Sequence, residues 1–362
     1  MKAAVCYELG TPLVVEEVNL DPPKAGEVKV CLAAVAICHS DVHTIRGDWE
    51  GWGTPPPVVV GHEAAGVVEE VGEGVTLCQP GDTAVVSLVR HCGRCFQCTT
   101  GAPDLCEGQF ALASEHRLRN KRGQPLNQGI ATGAFAESVV VDQSQVIPIS
   151  KEMPQDRACL LACGVITGVG AVFNTAKVEP GSSVVVIGAG GVGLNTIQGA
   201  ALAGAYPIVA LDVLDSKLAA ARAFGATQAF NSKEIDPRRT VKDLTSGRGA
   251  DYAFVTIGNA GVASQALRLV RRGGSLVLVG MPGKDAMVNL PMGQFVYDGQ
   301  RVIGSHMGST RPRVDVPRLV DLYLGGRLKL DELITACYPL EKINEAIEVM
   351  ERGEALRNVI IF

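Results

Sequence analysis

The feature that most constrains the fold is a regular alternation of strands and helices that begins near residue 165. Short apolar runs are typical of buried strands, and the longer segments between them have helical periodicity. The strand segments are SSVVVIG, PIVALD, DYAFVTIG, SLVLVG and RVIGS, and the first two helical segments are VGLNTIQGAALAGA and SKLAAARAFGA. Strands that alternate with helices form a parallel sheet covered on both faces, so this part of the chain is predicted to be an α/β, doubly wound domain.

The first predicted turn from strand to helix carries the pattern G-x-G-x-x-G. In a dinucleotide site, Gly188 would allow the tight turn, Gly190 would let the backbone approach a pyrophosphate, and Gly193 would let the helix pack closely. Asp212 ends the next predicted strand, nineteen residues past Gly193, where a carboxylate accepts hydrogen bonds from the adenosine ribose and repels a 2′-phosphate. We therefore expect NAD rather than NADP, and a glycine-rich turn without nucleotide is the alternative. The expected coenzyme contacts here are Gly188, Gly190, Gly191, Val192, Gly193 and Asp212, with Lys217 either a ribose contact or a solvated lysine.

The chain before residue 165 has a different rhythm. Its segments EVKVCLAAVA, EAAGVVEEVG, DTAVVSLV and ESVVVDQ alternate apolar and polar residues between Pro and Gly turns, as in an antiparallel β domain. A length of 362 residues also exceeds what one hydrophobic core usually supports. We expect a β domain at 1–165 and a nucleotide-binding domain at 166–305, after which the rhythm breaks into a short C-terminal segment at 306–362.

Four of the eleven cysteines fall within the fifteen residues CGRCFQCTTGAPDLC. Two C-x2-C spacings and a fourth thiol after a seven-residue loop can wrap one ion tetrahedrally, and Zn2+ favours that all-thiolate geometry. An iron–sulfur cluster takes the same ligands, and a disulfide or incidental thiols are the structural alternatives. The expected ligands of this metal are Cys92, Cys95, Cys98 and Cys106.

The charge balance argues against two classes of partner. The formal net charge is −5, and no run of like charges forms a basic tract, so we expect neither nucleic acid nor an anionic membrane surface as a partner. The N-terminal MKAAVCYELG alternates like a strand and lacks the basic and apolar regions of a signal peptide, which predicts a cytoplasmic location.

Three further motifs contain metal-ligand residue types, but they are too far apart for an argument from spacing: CHSDVH at 38–43, GHE at 61–63 and ACGVITG at 162–168. Judged singly, each cysteine is more often a small buried apolar residue and each histidine a structural one. The ordered set, together with the four-cysteine loop and the glycine turn, resembles the zinc-dependent alcohol dehydrogenases of the medium-chain dehydrogenase/reductase family over the whole chain. That resemblance implies a Rossmann domain, a GroES-like antiparallel β catalytic domain to which the C-terminal segment 306–362 returns, and two Zn2+ per chain. It also implies that Cys38, His62 and Cys163 hold a catalytic zinc, while the four-cysteine loop holds a structural one.

The resemblance implies further roles around this catalytic zinc. Ser40 would receive a proton from the alcohol and His43 would pass it to solvent, with a turn hydroxyl and a surface imidazole as the alternatives. Asp41 would orient His62, and Glu63 would lie behind the metal. Coenzyme contacts are implied at His39, Thr167 and Arg357, where His39 takes the place of an arginine in many relatives.

The implied activity is hydride transfer between a primary aliphatic or aromatic alcohol and NAD, which yields the aldehyde. An apolar pocket is expected from Trp49, Leu88 and Phe110. An S-(hydroxymethyl)glutathione dehydrogenase is the first alternative: Asp48 resembles that branch, but Phe110 stands where it has an arginine. A dehydrogenase that keeps NAD(H) permanently bound is the second. The resemblance also implies a homodimer or homotetramer, formed through a sheet edge supplied by SLVLVG and AMVNLP.

Overall fold

The computed structural model describes all 362 residues, and they separate into two compact units. Unit 1 contains Met1–Gly164 and Arg311–Phe362, and unit 2 contains Val165–Thr310. The domain limits expected from the sequence, after residues 165 and 305, lie one residue later and five residues earlier than these boundaries. The C-terminal segment therefore belongs to the same unit as the N-terminal half.

Unit 1 is built mainly from short strands. They are β1 (Lys2–Cys6), β2 (Val14–Leu20), β3 (Glu27–Ala36), β4 (Val58–Val59), β5 (Glu63–Val71), β6 (Thr83–Val86), β7 (Leu118–Asn120), β8 (Pro125–Gln128), β9 (Ser138–Asp142), β10 (Val146–Pro148), β17 (Ile334–Pro339) and β18 (Arg357–Ile361). Its helices are α1 (His39–Arg46), α2 (Phe96–Thr99), α3 (Gln155–Ala158), α10 (Pro312–Leu324) and α11 (Ile343–Glu351).

These strands form a closed barrel and a larger sheet. The barrel order is β1-β2-β7-β8-β4, and the sheet order is β10-β6-β5-β3-β18-β17 with β9 also paired to β3. Most pairs are antiparallel, as expected from the alternating pattern, but β4 pairs with β8 in parallel, and so does β17 with β18. A parallel pair needs a crossover connection, and α11 supplies it between β17 and β18. The core is mainly aliphatic, with Val30, Val35 and Val68 almost fully buried, and it includes the aromatic ring of Phe135.

Unit 2 contains one parallel sheet of six strands. They are β11 (Val184–Ile187), β12 (Ile208–Asp212), β13 (Gln228–Asn231), β14 (Ala250–Val255), β15 (Val270–Leu278) and β16 (Arg301–Gly304), in the order β13-β12-β11-β14-β15-β16. The helices are α4 (Gly164–Gly170), α5 (Gly191–Leu202), α6 (Asp215–Ala223), α7 (Pro237–Leu244), α8 (Ala260–Ala266) and α9 (Met292–Asp298), and α4 starts at the last residue of unit 1.

The predicted α/β class is confirmed, and each of the five predicted strand segments forms a strand of this sheet, with two differences from the prediction. The sequence analysis did not predict β13, because QAFN is short and only one of its residues is buried. The predicted edge is wrong: SLVLVG lies in β15, which is paired on both sides, and AMVNLP forms no strand. The edge strand on that side is β16, because it is the last strand in the order.

No single helix has the length and apolar character required to cross a membrane, and one bent pair, Gln155–Ala162 with Gly164–Ala176, meets those requirements by length and composition only.

Candidate active site and coenzyme-binding turn

Three strand ends of unit 1 bring distant residues together. In the antiparallel pair β3–β5, Ala36 lies opposite Glu63, so Cys38 just beyond β3 and His62 just before β5 are at the same end of the sheet. In the pair β3–β18, Ala36 lies opposite Val359, which places Arg357 at that end as well. The register of the sheet therefore builds a cluster from residues more than three hundred positions apart in sequence.

The fourth member of this cluster comes from a different element. Cys163 follows the short 3-10 turn Cys159–Ala162, and Ser87 at the end of β6 donates a hydrogen bond from Oγ to Ala162 O at 3.3 Å. The possible ligand atoms of Cys38, His62, Glu63 and Cys163 all lie within 4.8 Å of one another, and all four residues are buried. The structure thus brings together the three predicted catalytic ligands, with Glu63 beside them.

Asp41 holds the first two ligands in place. One carboxylate oxygen accepts from His62 Nδ1 at 2.9 Å and from Gly61 N at 2.9 Å, and the other accepts from Cys38 N at 3.0 Å. Because Nδ1 is the donor in this bond, Nε2 is the imidazole atom left to bind a metal. That Nε2 is buried and has no hydrogen-bond partner, which is costly unless a ligand satisfies it.

The electrostatics of the cluster also fit a divalent cation. The adjacent Cys163 thiol holds the pKa of Cys38 well below its usual range, while the same contact raises the pKa of Cys163. Burial opposes the charged form of His62, but Asp41 outweighs it and raises the pKa of the imidazole. Two thiols and one imidazole with one nitrogen unsatisfied are a donor set that Zn2+ binds, and a bound cation would replace the protons that these groups share.

Glu63 and Arg357 form a buried ion pair behind the two thiols. Burial raises the pKa of the Glu63 carboxyl to about 7, although the charge of Arg357 opposes this. Arg357 is only 6% exposed, and a Cβ on Gly164 would come within 3.2 Å of its guanidinium. In unit 1, the first partner of this arginine is therefore Glu63, and its predicted phosphate contact stays a prediction.

The four predicted structural ligands form a second cluster. Cys92, Cys95, Cys98 and Cys106 have their sulfur atoms within 4.8 Å of one another, and Cys95 Sγ lies 3.9 Å from Cys106 Sγ. A tetrahedral zinc site with Zn–S bonds of about 2.3 Å has S···S edges of about 3.8 Å, whereas a disulfide needs about 2.05 Å. The separation fits a shared ion and excludes a disulfide between this pair.

The coenzyme residues predicted from the glycine turn lie in unit 2. Gly188 follows β11 with φ 94°, Gly190 caps α5, and a Cβ on Gly193 would lie 1.8 Å from Gly188 O. Gly191 and Val192 are the first residues of α5, and the backbone of Val192 lies 2.5 Å from the position of a Cβ on Gly168, next to Thr167. The turn is therefore too tight for side chains at two of its three fingerprint glycines.

Asp212 lies beside the glycine turn. It is the last residue of β12, and its carboxylate accepts from Ala189 N at 2.7 Å, from Val213 N at 2.7 Å and from Leu214 N at 3.0 Å. These three backbone donors fix the carboxylate beside the glycine turn and leave lone pairs for ribose hydroxyls. Lys217 is half-buried on α6, and its two alternative roles stay predictions.

The predicted relay residues lie on α1, which starts directly after Cys38. Ser40 is half-buried in its first turn, and His43 is half-buried one turn later, with Nδ1 2.6 Å from Asp48 Oδ2. His39 is exposed. The sequence analysis did not connect His43 with Asp48; the signal was the glycine at position 47, which ends α1 in the left-handed conformation.

Of the three predicted substrate residues, Trp49 lines a depression on the surface of unit 1. Trp49 stacks on His43 with ring centroids 5.1 Å apart and contributes to a surface depression of about 580 Å3. Leu88 and Phe110 do not line it; Phe110 instead lies under the guanidinium of Arg90, 5.3 Å from its ring centroid. The other residues around the depression are Thr44, Trp52, Gly53, Thr54, Pro55, Ala113, Ser114, His116, Asn127 and Ile130.

Comparison with known proteins identifies the family. Residues 24–151 match the alcohol dehydrogenase GroES-like domain family, and residues 191–324 match the zinc-binding dehydrogenase family. Alcohol dehydrogenase 1 of Pisum sativum is 37% identical over 373 aligned positions, which cover 99% of this chain and 96% of the relative. The chain belongs to the zinc-dependent alcohol dehydrogenases. It is therefore an oxidoreductase of alcohols and aldehydes, from a family that generally uses zinc and NAD(H).

Solved structures agree with this assignment. The enzyme is similar to an alcohol dehydrogenase zinc-binding domain protein from Burkholderia ambifaria, with a TM-score of 0.95, 34% identity and coverage of 100% and 98% of the two chains. It is also similar to the benzyl alcohol dehydrogenase of Acinetobacter calcoaceticus, with a TM-score of 0.93, 30% identity and coverage of 100% and 99%. The predicted family and both of its domain types are confirmed.

Proposed function

We propose that the enzyme oxidises primary aliphatic or aromatic alcohols to aldehydes with NAD, using a catalytic zinc held by Cys38, His62 and Cys163. The observation that carries this proposal is the buried cluster in which His62 Nε2 lacks a partner next to two thiols. Zinc, when bound there, supplies a Lewis acid that lowers the pKa of an alcohol hydroxyl. The benzyl alcohol dehydrogenase among the similar structures supports an aromatic substrate.

The residues of α1 would manage the proton that leaves the alcohol. The reaction removes a hydride and a proton from the carbinol, and NAD, when bound, supplies the hydride acceptor. The Ser40 hydroxyl, two positions after Cys38, would accept the proton first. His43, one helical turn further and partly open to solvent, would then take it out of the site.

The chain would hold the coenzyme through unit 2. The first backbone N–H groups of α5 would donate to the pyrophosphate at the positive end of the helix, and Gly190 offers no side chain in the way. Asp212 would accept hydrogen bonds from the adenosine ribose and disfavour a 2′-phosphate. His39, Thr167, Lys217 and Arg357 are proposed as further contacts.

The second proposed zinc, held by the four-cysteine loop, would be structural. None of the residues in α2 or in the following 3-10 turn Pro103–Leu105 is buried. A lobe without an apolar core needs another source of cohesion, which a tetrahedral thiolate site supplies. This site has no open ligand position for a substrate.

The test combines metal content with coenzyme reduction. We expect two zinc ions per chain in the purified enzyme, one in the Cys38→Ser and Cys92→Ser variants, and two in the control Cys31→Ser, whose thiol is exposed and outside both clusters. Benzyl alcohol should produce NADH absorbance with the wild type and with Cys31→Ser, but not with Cys38→Ser. Fewer than two zinc ions together with no turnover of any alcohol would refute the proposed site. NADH absorbance already present before addition, with no net rise, would support a permanently bound coenzyme instead.

One observation favours S-(hydroxymethyl)glutathione as a second candidate substrate. Arg90 is half-buried over the ring of Phe110 and forms no ion pair. A cation therefore lies next to Phe110, the position at which the glutathione-dependent branch has an arginine. A substrate carboxylate would be a suitable partner for this guanidinium. The test measures kcat/KM for benzyl alcohol and for the glutathione adduct in the wild type and in Arg90→Gln. The adduct is supported as a substrate only if the variant lowers kcat/KM for the adduct and leaves that for benzyl alcohol unchanged.

We also propose a homodimer or homotetramer through unit 2. The edge strand β16 is at most half-buried, and several large apolar side chains nearby are more than 70% exposed: Met287, Met292, Val296 and Tyr297. Unpaired strand edges and apolar patches of this kind are often covered by a second subunit. Light scattering on the purified enzyme tests this, and a monomer would refute it. The cytoplasmic location stays a prediction.

A further inference from the structure

The pair His43 and Asp48 has a defined hydrogen-bond direction. His43 Nδ1 lies 2.6 Å from Asp48 Oδ2. An ionised carboxylate can only accept hydrogen bonds, so the proton of this bond belongs to Nδ1. In the neutral imidazole, the second nitrogen, Nε2, then carries the lone pair. The contact therefore selects one tautomer of His43.

The backbone at the end of α1 brings these two side chains together. Gly47 follows the helix with φ 84°, and its N–H donates to the carbonyl groups of His43 at 3.1 Å and Thr44 at 3.3 Å. The N–H of Asp48 donates to His43 O at 3.0 Å, so the chain folds back over the last helical turn. A residue other than glycine at 47 would have a strained φ, and its Cβ would meet Leu9 Cδ1 at 3.2 Å. The backbone conformation at the end of α1 therefore brings His43 and Asp48 together.

Two further contacts restrict the imidazole. The Trp49 ring stacks on it with an interplanar angle of 29°, which limits rotation of the ring plane. The helix that carries it is held by the hydrogen bond from Thr44 Oγ1 to Ser40 O at 2.9 Å and by the ion pair of Arg46 with Glu351. Ser40 and His43 therefore lie three residues apart on a helix that has these two anchoring contacts.

The contribution of the His43–Asp48 pair to folding stability does not explain why the pair is present. The side chain of Asp48 is 43% exposed and that of His43 is 26% exposed, and ion pairs this open to solvent contribute little to folding stability. The same exposure lets the imidazole exchange protons with water. A partly exposed pair with a fixed direction suits the orientation of a proton acceptor better than the stabilisation of the fold.

We propose that Asp48 is a positioning residue for proton release: it keeps Nδ1 of His43 protonated and directed at its carboxylate, so that Nε2 is the atom that accepts the departing proton. This inference rests on the proposed function, in which His43 takes the proton that leaves the alcohol. In each turnover, Nε2 gains one proton and loses it to water, while the Nδ1–H bond stays intact. Asp48 itself touches neither substrate nor coenzyme in this role.

The experiment is a double-mutant cycle on the zinc-loaded enzyme, with Asp48→Asn, His43→Gln and the double variant. We expect Asp48→Asn to lower kcat for benzyl alcohol by about 10-fold with little change in KM, as for other partners that orient a reactive group. An asparagine can donate as well as accept, so it no longer selects the tautomer. In the His43→Gln background, Asp48→Asn should have no further effect, because its action passes through His43. Glu73→Gln, an exposed carboxylate outside the site, is the matched control and should be unchanged.

The second readout is the tautomer itself. In enzyme labelled with 15N-histidine, the His43 signal should show the Nδ1-protonated form in the wild type and a mixture in Asp48→Asn, while the other five histidines are unchanged. An equal loss of kcat in both backgrounds, an unchanged tautomer, or no loss at all would overturn the inference. If His43→Gln also retains full kcat, the proton pathway of the proposed function fails with it. If His43→Gln is slow but Asp48→Asn is not, only the role of Asp48 fails.

Discussion

The glycine turn of unit 2 allows a sharp separation of folding from coenzyme binding. A Cβ on Gly193 would lie 1.8 Å from Gly188 O and 2.9 Å from Thr256 Oγ1. The clashing atom, Gly188 O, belongs to the backbone and cannot rotate away as a side chain would. Gly193→Ala therefore requires a displacement of more than about 1 Å between α5 and the turn. Overpacking of this kind costs typically 1–3 kcal/mol, and we expect about 3 kcal/mol of unfolding free energy to be lost because the clash is with backbone.

The matched variant is Gly190→Ala in the same turn. No atom lies within 4 Å of a Cβ at Gly190, and its φ of −79° and ψ of −168° are accessible to alanine. Stability should therefore stay within about 1 kcal/mol of wild type, with a small gain possible because alanine restricts the unfolded chain. The added methyl group would, however, stand where the proposed pyrophosphate approaches, so the Kd for NADH should rise by about 10-fold or more.

The assay is urea unfolding followed by circular dichroism, combined with NADH fluorescence titration. Tryptophan fluorescence is unsuitable for unit 2, because both tryptophans, Trp49 and Trp52, lie in unit 1. A Gly193→Ala variant as stable as wild type would refute the packing argument. A Gly190→Ala variant with an unchanged Kd for NADH would refute the placement of the coenzyme at this turn.

Three further predictions concern other parts of the enzyme. Cys106→Ser should lose one zinc ion and make the cysteine loop sensitive to trypsin, while Cys31→Ser should do neither; intact metal content in Cys106→Ser would contradict the structural site. Arg117→Met should cost about 3–5 kcal/mol in urea unfolding, because it leaves the buried carboxylate of Glu27 unpaired. Arg119→Met, two residues further along the chain with a side chain that is 42% exposed, should cost about 0.5 kcal/mol or less; similar losses would disprove this reasoning. Burial opposes the ionised form of Asp251, but hydrogen bonds and a nearby arginine outweigh burial and lower the pKa of the carboxyl below its ordinary value of 3.8. The stabilisation that ionised Asp251 gives the fold is therefore present above pH 3.8 and lost below it. The difference in unfolding free energy between wild type and Asp251→Asn should shrink as the pH falls below 3.8. A difference that stays constant would be evidence against this role of Asp251.

The local parts of this enzyme could be predicted from the sequence because neighbouring residues determine them. The four cysteines lie in one short loop, so their sulfur atoms meet without help from distant elements. The turn at Gly188 joins a strand directly to a helix, and its glycines are needed by the backbone of that turn. The strand β13 was not predicted, because its pairing with β12 makes it a strand and its own composition does not indicate one.

The candidate catalytic centre depended on tertiary structure. Cys38, His62 and Cys163 are far apart in sequence, and resemblance to a family, not spacing, suggested that they act together. Their meeting follows from the register that places Ala36 opposite Glu63 and from the turn that carries Cys163 to the same sheet end. Arg357 arrives there only because β18 pairs with β3.

The sequence by itself determined the elements whose geometry is set within a few residues: the strand and helix rhythm, the glycine turn and the cysteine loop. The tertiary structure alone decided which strand ends meet, and with them the burial and the shifted pKa values of the candidate zinc ligands. The physical reason is that periodicity and turn chemistry act over single turns and strands, whereas sheet register depends on the packing of the whole core. A one-residue shift in the pairing of β3 with β5 would turn the buried side chains to the other face and separate Cys38 from His62.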